Sequence, residues 1–131
     1  MQTIANYMTK QPWAVQVDDS IAVARQMMAE REIHHLPVLD GGELVGMLTH
    51  GDVAREGATV EEVMGLACAV DANVAFGDAL EVMLARGRDA VVITRDGKIE
   101  GIFTAMDAVR VLRDRMRPRR PRAEPPRSGA W

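Results

Sequence analysis

Gly46-Met47-Leu48-Thr49-His50-Gly51-Asp52 and Gly101-Ile102-Phe103-Thr104-Ala105-Met106-Asp107 share one order, Gly, two apolar residues, Thr, two variable residues, Asp, and lie 55 positions apart. Extending the comparison at that offset aligns residues 14–55 with 69–110 without a gap and yields ten identities among 42 positions. They are Ala14/Ala69, Val15/Val70, Ala24/Ala79, Met28/Met83, Arg31/Arg86, Gly42/Gly97, Gly46/Gly101, Thr49/Thr104, Asp52/Asp107 and Arg55/Arg110. Leu36/Val91, Val38/Ile93, Leu44/Ile99 and Leu48/Phe103 exchange one apolar residue for another. A repeat of this length is two copies of one supersecondary unit, too few for a solenoid.

Within each copy the hydrophobic period changes in the same sequence. A short apolar strand, Ala14 to Val17 or Cys68 to Ala72, precedes a segment with helical spacing. Ile21, Ala24, Met27 and Met28 place one helix over Ser20 to about Arg31, and Phe76, Leu80, Met83 and Leu84 place the other over Phe76 to Arg86. Two hairpins follow. Leu36–Leu39 and Leu44–Thr49 flank Asp40-Gly41-Gly42-Glu43, and Ala90–Thr94 and Ile99–Thr104 flank Arg95-Asp96-Gly97-Lys98, where Asp-Gly suits a tight turn. A closing helix is expected from near Gly51, cut short at Gly57, and from near Ala105 to about Arg115.

Each unit is preceded by a short helical lead, Thr3 to Met8 and Thr59 to Met64, and Thr59 with Glu62 reads as a capping box. The sequence thus divides into 1–56, 57–116 and a Pro/Arg-rich end, 117–131, expected to be extended or mobile. A βαββα unit this small leaves one sheet face uncovered. Two of them packed pseudo-symmetrically bury both faces, so the fold class is α/β, in an α+β arrangement, forming one body.

The chain has 131 residues, 47% of them hydrophobic and 27% charged, the composition of a soluble globular domain. No stretch is apolar enough for a membrane span, and Met1 to Lys10 lacks the order of a secretory signal, so a cytoplasmic protein is expected. The single cysteine, Cys68, makes no internal disulfide and fits a reducing compartment. Charge is unevenly spread. Residues 1–109 carry 8 basic and 17 acidic side chains, whereas residues 110–131 carry 8 and 2. The basic end has the chemistry to meet nucleic acid or an acidic partner, but a solvated terminus is the simpler reading, and no nucleic-acid partner is expected.

Thr49 with Asp52, and Thr104 with Asp107, stand three apart where a strand hands over to a helix. A carboxylate there can accept from both hydroxyls of a ribose, with the Thr hydroxyl and free backbone N–H groups for a phosphate or another sugar oxygen. The same spacing is also a plain N-cap, and one copy alone does not separate the two readings. Arg55 and Arg110, one turn on, either reach phosphates or pair with the motif Asp. His34 and His35 are neighbours on a strand and point to opposite faces, which argues against their chelating one metal, and no metal site is expected.

The two Gly-h-h-Thr-x-x-Asp segments, with His34-His35-Leu36-Pro37-Val38-Leu39-Asp40 and the Met8-Thr9 and Pro12 lead, resemble the CBS family over about residues 1–113. The resemblance implies a tandem pair, or Bateman module, with two clefts for adenosine-bearing ligands. It implies that the motif Asp holds the ribose while adenine lies on the other motif's first and second strands. One cleft would then take Thr104 and Asp107 with Met8, Trp13, His34 and His35. The other would take Thr49 and Asp52 with Met64, Cys68, Arg88, Asp89 and Ala90. The second copy departs from the pattern in lacking the proline and carrying Asp89, which opposes a phosphate, so the cleft of Asp107 is expected to be the stronger.

The expected function is therefore a regulatory module without catalysis. An adenine nucleotide or related adenosyl ligand is expected, with AMP, ADP and ATP foremost, no cofactor is expected, and the resemblance implies a homodimer through helical faces and a regulated protein partner. No Ser–His–Asp or Cys–His order supports an enzyme. The competing expectation is an oligomerisation module with empty clefts. Trp13 and the methionines read first as core residues, and Cys68, the counterpart of Trp13, as a buried inert thiol.

Overall fold

The computed structural model describes residues 2–10 and 13–118. The extended end expected at 117–131 lies, from residue 119 on, outside the described residues. The elements are β1 (Thr9–Lys10), β2 (Val15–Gln16), α1 (Ile21–Arg31), β3 (His35–Asp40), β4 (Glu43–Thr49), α2 (Val60–Val63), β5 (Ala69–Asp71), α3 (Phe76–Arg86), β6 (Ala90–Arg95), β7 (Lys98–Thr104) and α4 (Ala105–Met116), with 3₁₀ turns at Ile4–Asn6 and Asp52–Ala54. No helix among the described residues is long and apolar enough to cross a membrane.

The repeat is visible in the hydrogen bonding. In each copy the first strand runs parallel to the first arm of the hairpin, β2 to β3 and β5 to β6, and the two arms are antiparallel. Both hairpins shift register at the same place, between Val38 and Leu39 and between Ile93 and Thr94. Both turn through two residues of positive φ, Gly41 and Gly42 at 59° and 91° and Asp96 and Gly97 at 53° and 79°. That is the twist of a two-residue turn matched to its strands, tolerated by Gly and by Asp. Ser20 Oγ accepts from Val23 N–H and caps α1.

Apolar side chains gather in three places. Val15, Ile21, Ala24, Met28, Leu36, Val38, Leu48, Val53 and Val60 form the core of the first copy. Ile4, Cys68, Ala72, Ala79, Met83, Val91, Ile93 and Phe103 form that of the second. Met47, Ala90, Val92 and Ile102, drawn from both copies, make a third cluster that joins them.

The leads are exchanged. Ile4 belongs to the second core, its N–H donates to Val74 O at 2.8 Å, and β1 adds to β7 as an antiparallel edge. Val60 belongs to the first core, and its N–H donates to Asp19 O at 2.9 Å. The expected capping box holds at α2, where Thr59 N–H and hydroxyl reach Glu62 Oε1 at 3.1 and 2.9 Å. These donors hold the Glu62 carboxyl below the ordinary carboxylate range. Each copy's core is therefore closed by the other copy's lead.

This exchange explains the motif glycines. A Cβ on Gly101 would stand 2.5 Å from Met8 Sδ and 2.6 Å from Thr9 O, and one on Gly46 would stand 2.6 Å from Met64 Sδ and 2.9 Å from Gly65 O. A methionine side chain can move aside, but a paired backbone carbonyl can do so only by distorting the strand. Gly101→Ala is accordingly expected to cost about 1–3 kcal/mol, read by urea unfolding, with Gly46→Ala at the lower end of that range.

One element differs from expectation. The closing helix of the first copy is a single 3₁₀ turn, followed by extended backbone at Arg55. The few residues between Gly51 and Gly57 are too short a run to repay helix nucleation. Arg25 on α1 instead holds the freed carbonyls, Nε and Nη2 donating to Val53 O at 2.9 and 2.7 Å and Nη2 to Arg55 O at 3.3 Å.

Candidate functional site

The last residues of β4 and β7 are Thr49 and Thr104, so each strand delivers its Thr to the corner where the next turn begins. At Thr49, the backbone N–H donates to Asp52 Oδ2 at 2.8 Å. At Thr104, the N–H and hydroxyl both donate to Asp107 Oδ2, at 2.9 and 3.1 Å, and Asp107 N–H returns a bond to Thr104 Oγ1 at 3.2 Å. Both carboxylates are fixed at their strand ends, but only the second corner makes a full capping box.

The arginines one turn on also part ways. Arg110 Nη1 donates to Asp107 Oδ1 at 2.9 Å, so both oxygens of Asp107 are engaged. Asp52 Oδ1 has no protein donor and Arg55 no carboxylate partner among the described residues. Arg110 thus forms the ion pair that its spacing allowed, and Arg55 does not.

The hairpin register places the second-strand candidates. His35 lies directly opposite Thr49 and Ala90 directly opposite Thr104. His50 N–H donates to His34 O at 2.9 Å, and Ala105 N–H donates to Asp89 O at 2.8 Å, one step further along each hairpin. His34 and His35 are thus strand neighbours of the Asp52 corner, and Asp89 and Ala90 of the Asp107 corner. The copies meet here through His35 Nε2, 3.3 Å from Asp89 Oδ1. This contact joins His35 to the residue that precedes Ala90, the strand partner of Thr104.

Met8 and Met64 pack on Gly101 and Gly46, three residues before Thr104 and Thr49. Trp13 is 46% exposed, and the Arg31 guanidinium lies 3.8 Å from its ring centroid. Its counterpart Cys68 is buried, with Arg86 Nη1 3.7 Å from the sulfur. The identical pair Arg31/Arg86 therefore steadies the same position in both copies, by a cation over a ring in one and beside a thiol in the other. Arg88 is held at the Leu66 carbonyl, Nη1 to O 2.7 Å. Among the described residues no three His, Cys, Asp or Glu side chains converge to hold a metal.

Two residues escaped the sequence reading, Arg25 and His50. Their signal was a mismatch within the repeat, where the second copy has Leu80 and Ala105. Together with His34 they line a cavity of about 360 Å³ inside the first copy, between α1 and the 3₁₀ turn.

Among known proteins, the chain is 32% identical over 111 residues to an uncharacterized 33.4 kDa protein in the ribosomal RNA operon of Thermofilum pendens, covering 70% of this chain and 37% of that one. It spans well under half the length of the curated relatives it matches. Its fold is that of the CBS domain pair of protein MJ0100 in complex with 5′-methylthioadenosine and S-adenosyl-L-methionine, with a TM-score of 0.81 and 24% identity over 88% of this chain and 98% of that one. It is equally that of CBSX2 in complex with AMP, with a TM-score of 0.77 and 23% identity over 89% and 100%. The model of the CBS domain matches twice, at residues 4–59 and 60–114. Since both matches carry a Thr-x-x-Asp corner and a hairpin of the same register, the chain belongs to the CBS domain family, as a tandem pair.

Proposed function

We propose that this CBS pair is a regulatory module without catalysis that binds an adenine nucleotide or related adenosyl ligand where its two copies meet, with AMP, ADP and ATP the foremost candidates. The observation that carries the reading is the pair of Asp carboxylates, each anchored at a strand end by the N–H of its own Thr. A carboxylate so placed keeps acceptor capacity for a vicinal diol. Support also comes from MJ0100, of the same fold, in complex with 5′-methylthioadenosine and S-adenosyl-L-methionine, and from CBSX2 in complex with AMP. A ligand touching both copies favours one relative arrangement of them, and a partner reads that arrangement. The cytoplasm, where such nucleotides are abundant, is the setting this reading assumes.

The test is a thermal-shift panel of AMP, ADP, ATP, S-adenosylmethionine and NAD. A ligand present at a hundred times its Kd stabilises by about 2.7 kcal/mol, which moves the melting point by several degrees. The alternative, an oligomerisation module with empty clefts, is favoured by one observation: the Thr104–Asp107 capping box is complete without a ligand. It gains the argument if none of the panel shifts the melting point at about millimolar concentration.

The same proposal includes a homodimer through α4. Met106, Val109, Leu112 and Met116 are 58%, 56%, 61% and 74% exposed and recur at helical spacing along it. An apolar stripe of this kind suits a self-complementary contact about a two-fold axis. Val109→Glu is expected to convert the dimer to monomer in light scattering after size exclusion, with the circular dichroism spectrum unchanged.

A further inference from the structure

We infer that the first copy carries a binding groove of its own, between α1 and the 3₁₀ turn Asp52–Ala54, for a small monocarboxylate with a flat apolar body. The repeat provides the internal control. In the second copy α4 continues for three turns and Ala108 packs against the core that includes Ala79 and Met83. In the first copy the chain leaves after one turn, and the uncovered space is the 360 Å³ cavity lined by Arg25, Met28, Ile33, His34, His50 and Val53, with Glu32 at its rim. That volume lies within the ordinary range of small-molecule sites.

The lining has been rebuilt along with the space. Arg25, His34 and His50 stand where the second copy has Leu80, Asp89 and Ala105, so two apolar side chains and one carboxylate become three nitrogen-bearing ones. Arg25 is pinned through Nε and Nη2, and Nη1 has no protein acceptor among the described residues. The Nη1 left open on a fixed guanidinium can donate a charge-assisted bond to a carboxylate oxygen, although the two-nitrogen fork is already taken by the backbone carbonyls. The His34 and His50 rings, with centroids 5.2 Å apart and planes tilted by 55°, line the same space as Met28, Ile33 and Val53 and offer ring faces against which a flat apolar group can pack. Arg25 is the one permanent cation in the lining and Glu32 the one permanent anion, so a single carboxylate can engage Arg25 while any second negative charge on a ligand meets Glu32 with no further permanent cation to offset it.

The experiment is an NMR titration of the full chain with sodium benzoate, with benzamide as the uncharged isostere and inorganic phosphate and zinc chloride in separate arms. Benzoate is expected to give saturable shifts at Met28, Ile33, His50 and Val53 with a Kd of about 1 mM, the range for so small a ligand. Benzamide is expected to bind at least about tenfold more weakly for want of the charge-assisted bonds. Arg25→Leu and His50→Ala install the residues of the second copy, and each is expected to weaken benzoate about tenfold. Arg25 also supports the turn, so His50→Ala, which leaves the Arg25 bonds in place, is the decisive variant. Non-saturating shifts, equal binding of benzamide or phosphate, unchanged binding by His50→Ala, or a zinc response tighter than that to benzoate would each overturn the inference.

Discussion

Asp52→Ala and Asp107→Ala are each expected to abolish the thermal shift that an adenosyl ligand gives at the corresponding corner, while lowering the melting point of the free protein only slightly. A diol held by one carboxylate makes two charge-assisted bonds worth about 1.5–3 kcal/mol each. Losing both weakens binding on the order of a hundredfold or more. Without ligand, the variant loses a cap, about 1 kcal/mol, or a few degrees in a domain of this size. Calorimetric titration and melting curves with and without ligand separate the two effects. A variant that melts a few degrees lower and keeps its full ligand shift would remove that Asp from the site.

The two corners need not respond alike. Asp107 enters binding with Arg110 already on Oδ1, whereas Asp52 Oδ1 is open. Arg110 is more than half exposed, so its ion pair adds at most about 1 kcal/mol, and releasing it does not disqualify the corner. Asp89, which weighs against a phosphate near this end, is partnered by His35. The two corners thus share the motif and differ in one arginine contact and one histidine contact.

Much of this architecture could be read directly because it rests on local signals. Period-2 and period-3.6 patterns and the Gly-Gly and Asp-Gly turns each act within a few residues and recur at the offset of 55, and the Thr59–Glu62 cap is as local. The exchange of leads had no such signal. Thr3 to Met8 and Thr59 to Met64 carry the same pattern and suit either core equally, so only the tertiary partners, Val74 for Ile4 and Asp19 for Val60, distinguish them. The cavity was hidden for a related reason. Arg25 and His50 looked like unremarkable mismatches until the truncated turn placed them together with His34. The Thr and Asp of each corner were legible because strand end and helix start are adjacent in sequence. The contact of His35 with Asp89 joins residues 54 positions apart and follows from packing alone.

Ile4→Ala is expected to loosen the second copy, although Ile4 precedes the whole of the first. Ile4 is fully buried among Cys68, Ala79, Met83, Val91, Ile93 and Phe103, and beside it Tyr7 stacks on Phe76 with ring centroids 4.2 Å apart. Truncating such a side chain costs about 2–5 kcal/mol, a large part of the 5–15 kcal/mol by which a domain is usually stable. Hydrogen exchange should then show protection lost first in α3, β6 and β7, and retained longer in α1 and β3. Val60→Ala should give the reverse pattern with a smaller loss, since Val60 is buried in the first core. If Ile4→Ala instead released α1 and β3, the leads would close their own copies and the exchange would be wrong. The exchange also bears on signalling. Each lead sets a methionine against the strand that ends in the other copy's Thr-x-x-Asp corner, Met8 on Gly101 and Met64 on Gly46. On the proposed function, a ligand at either corner would therefore act on a strand whose packing draws on both copies, which is how binding at one corner would reach the arrangement of the two.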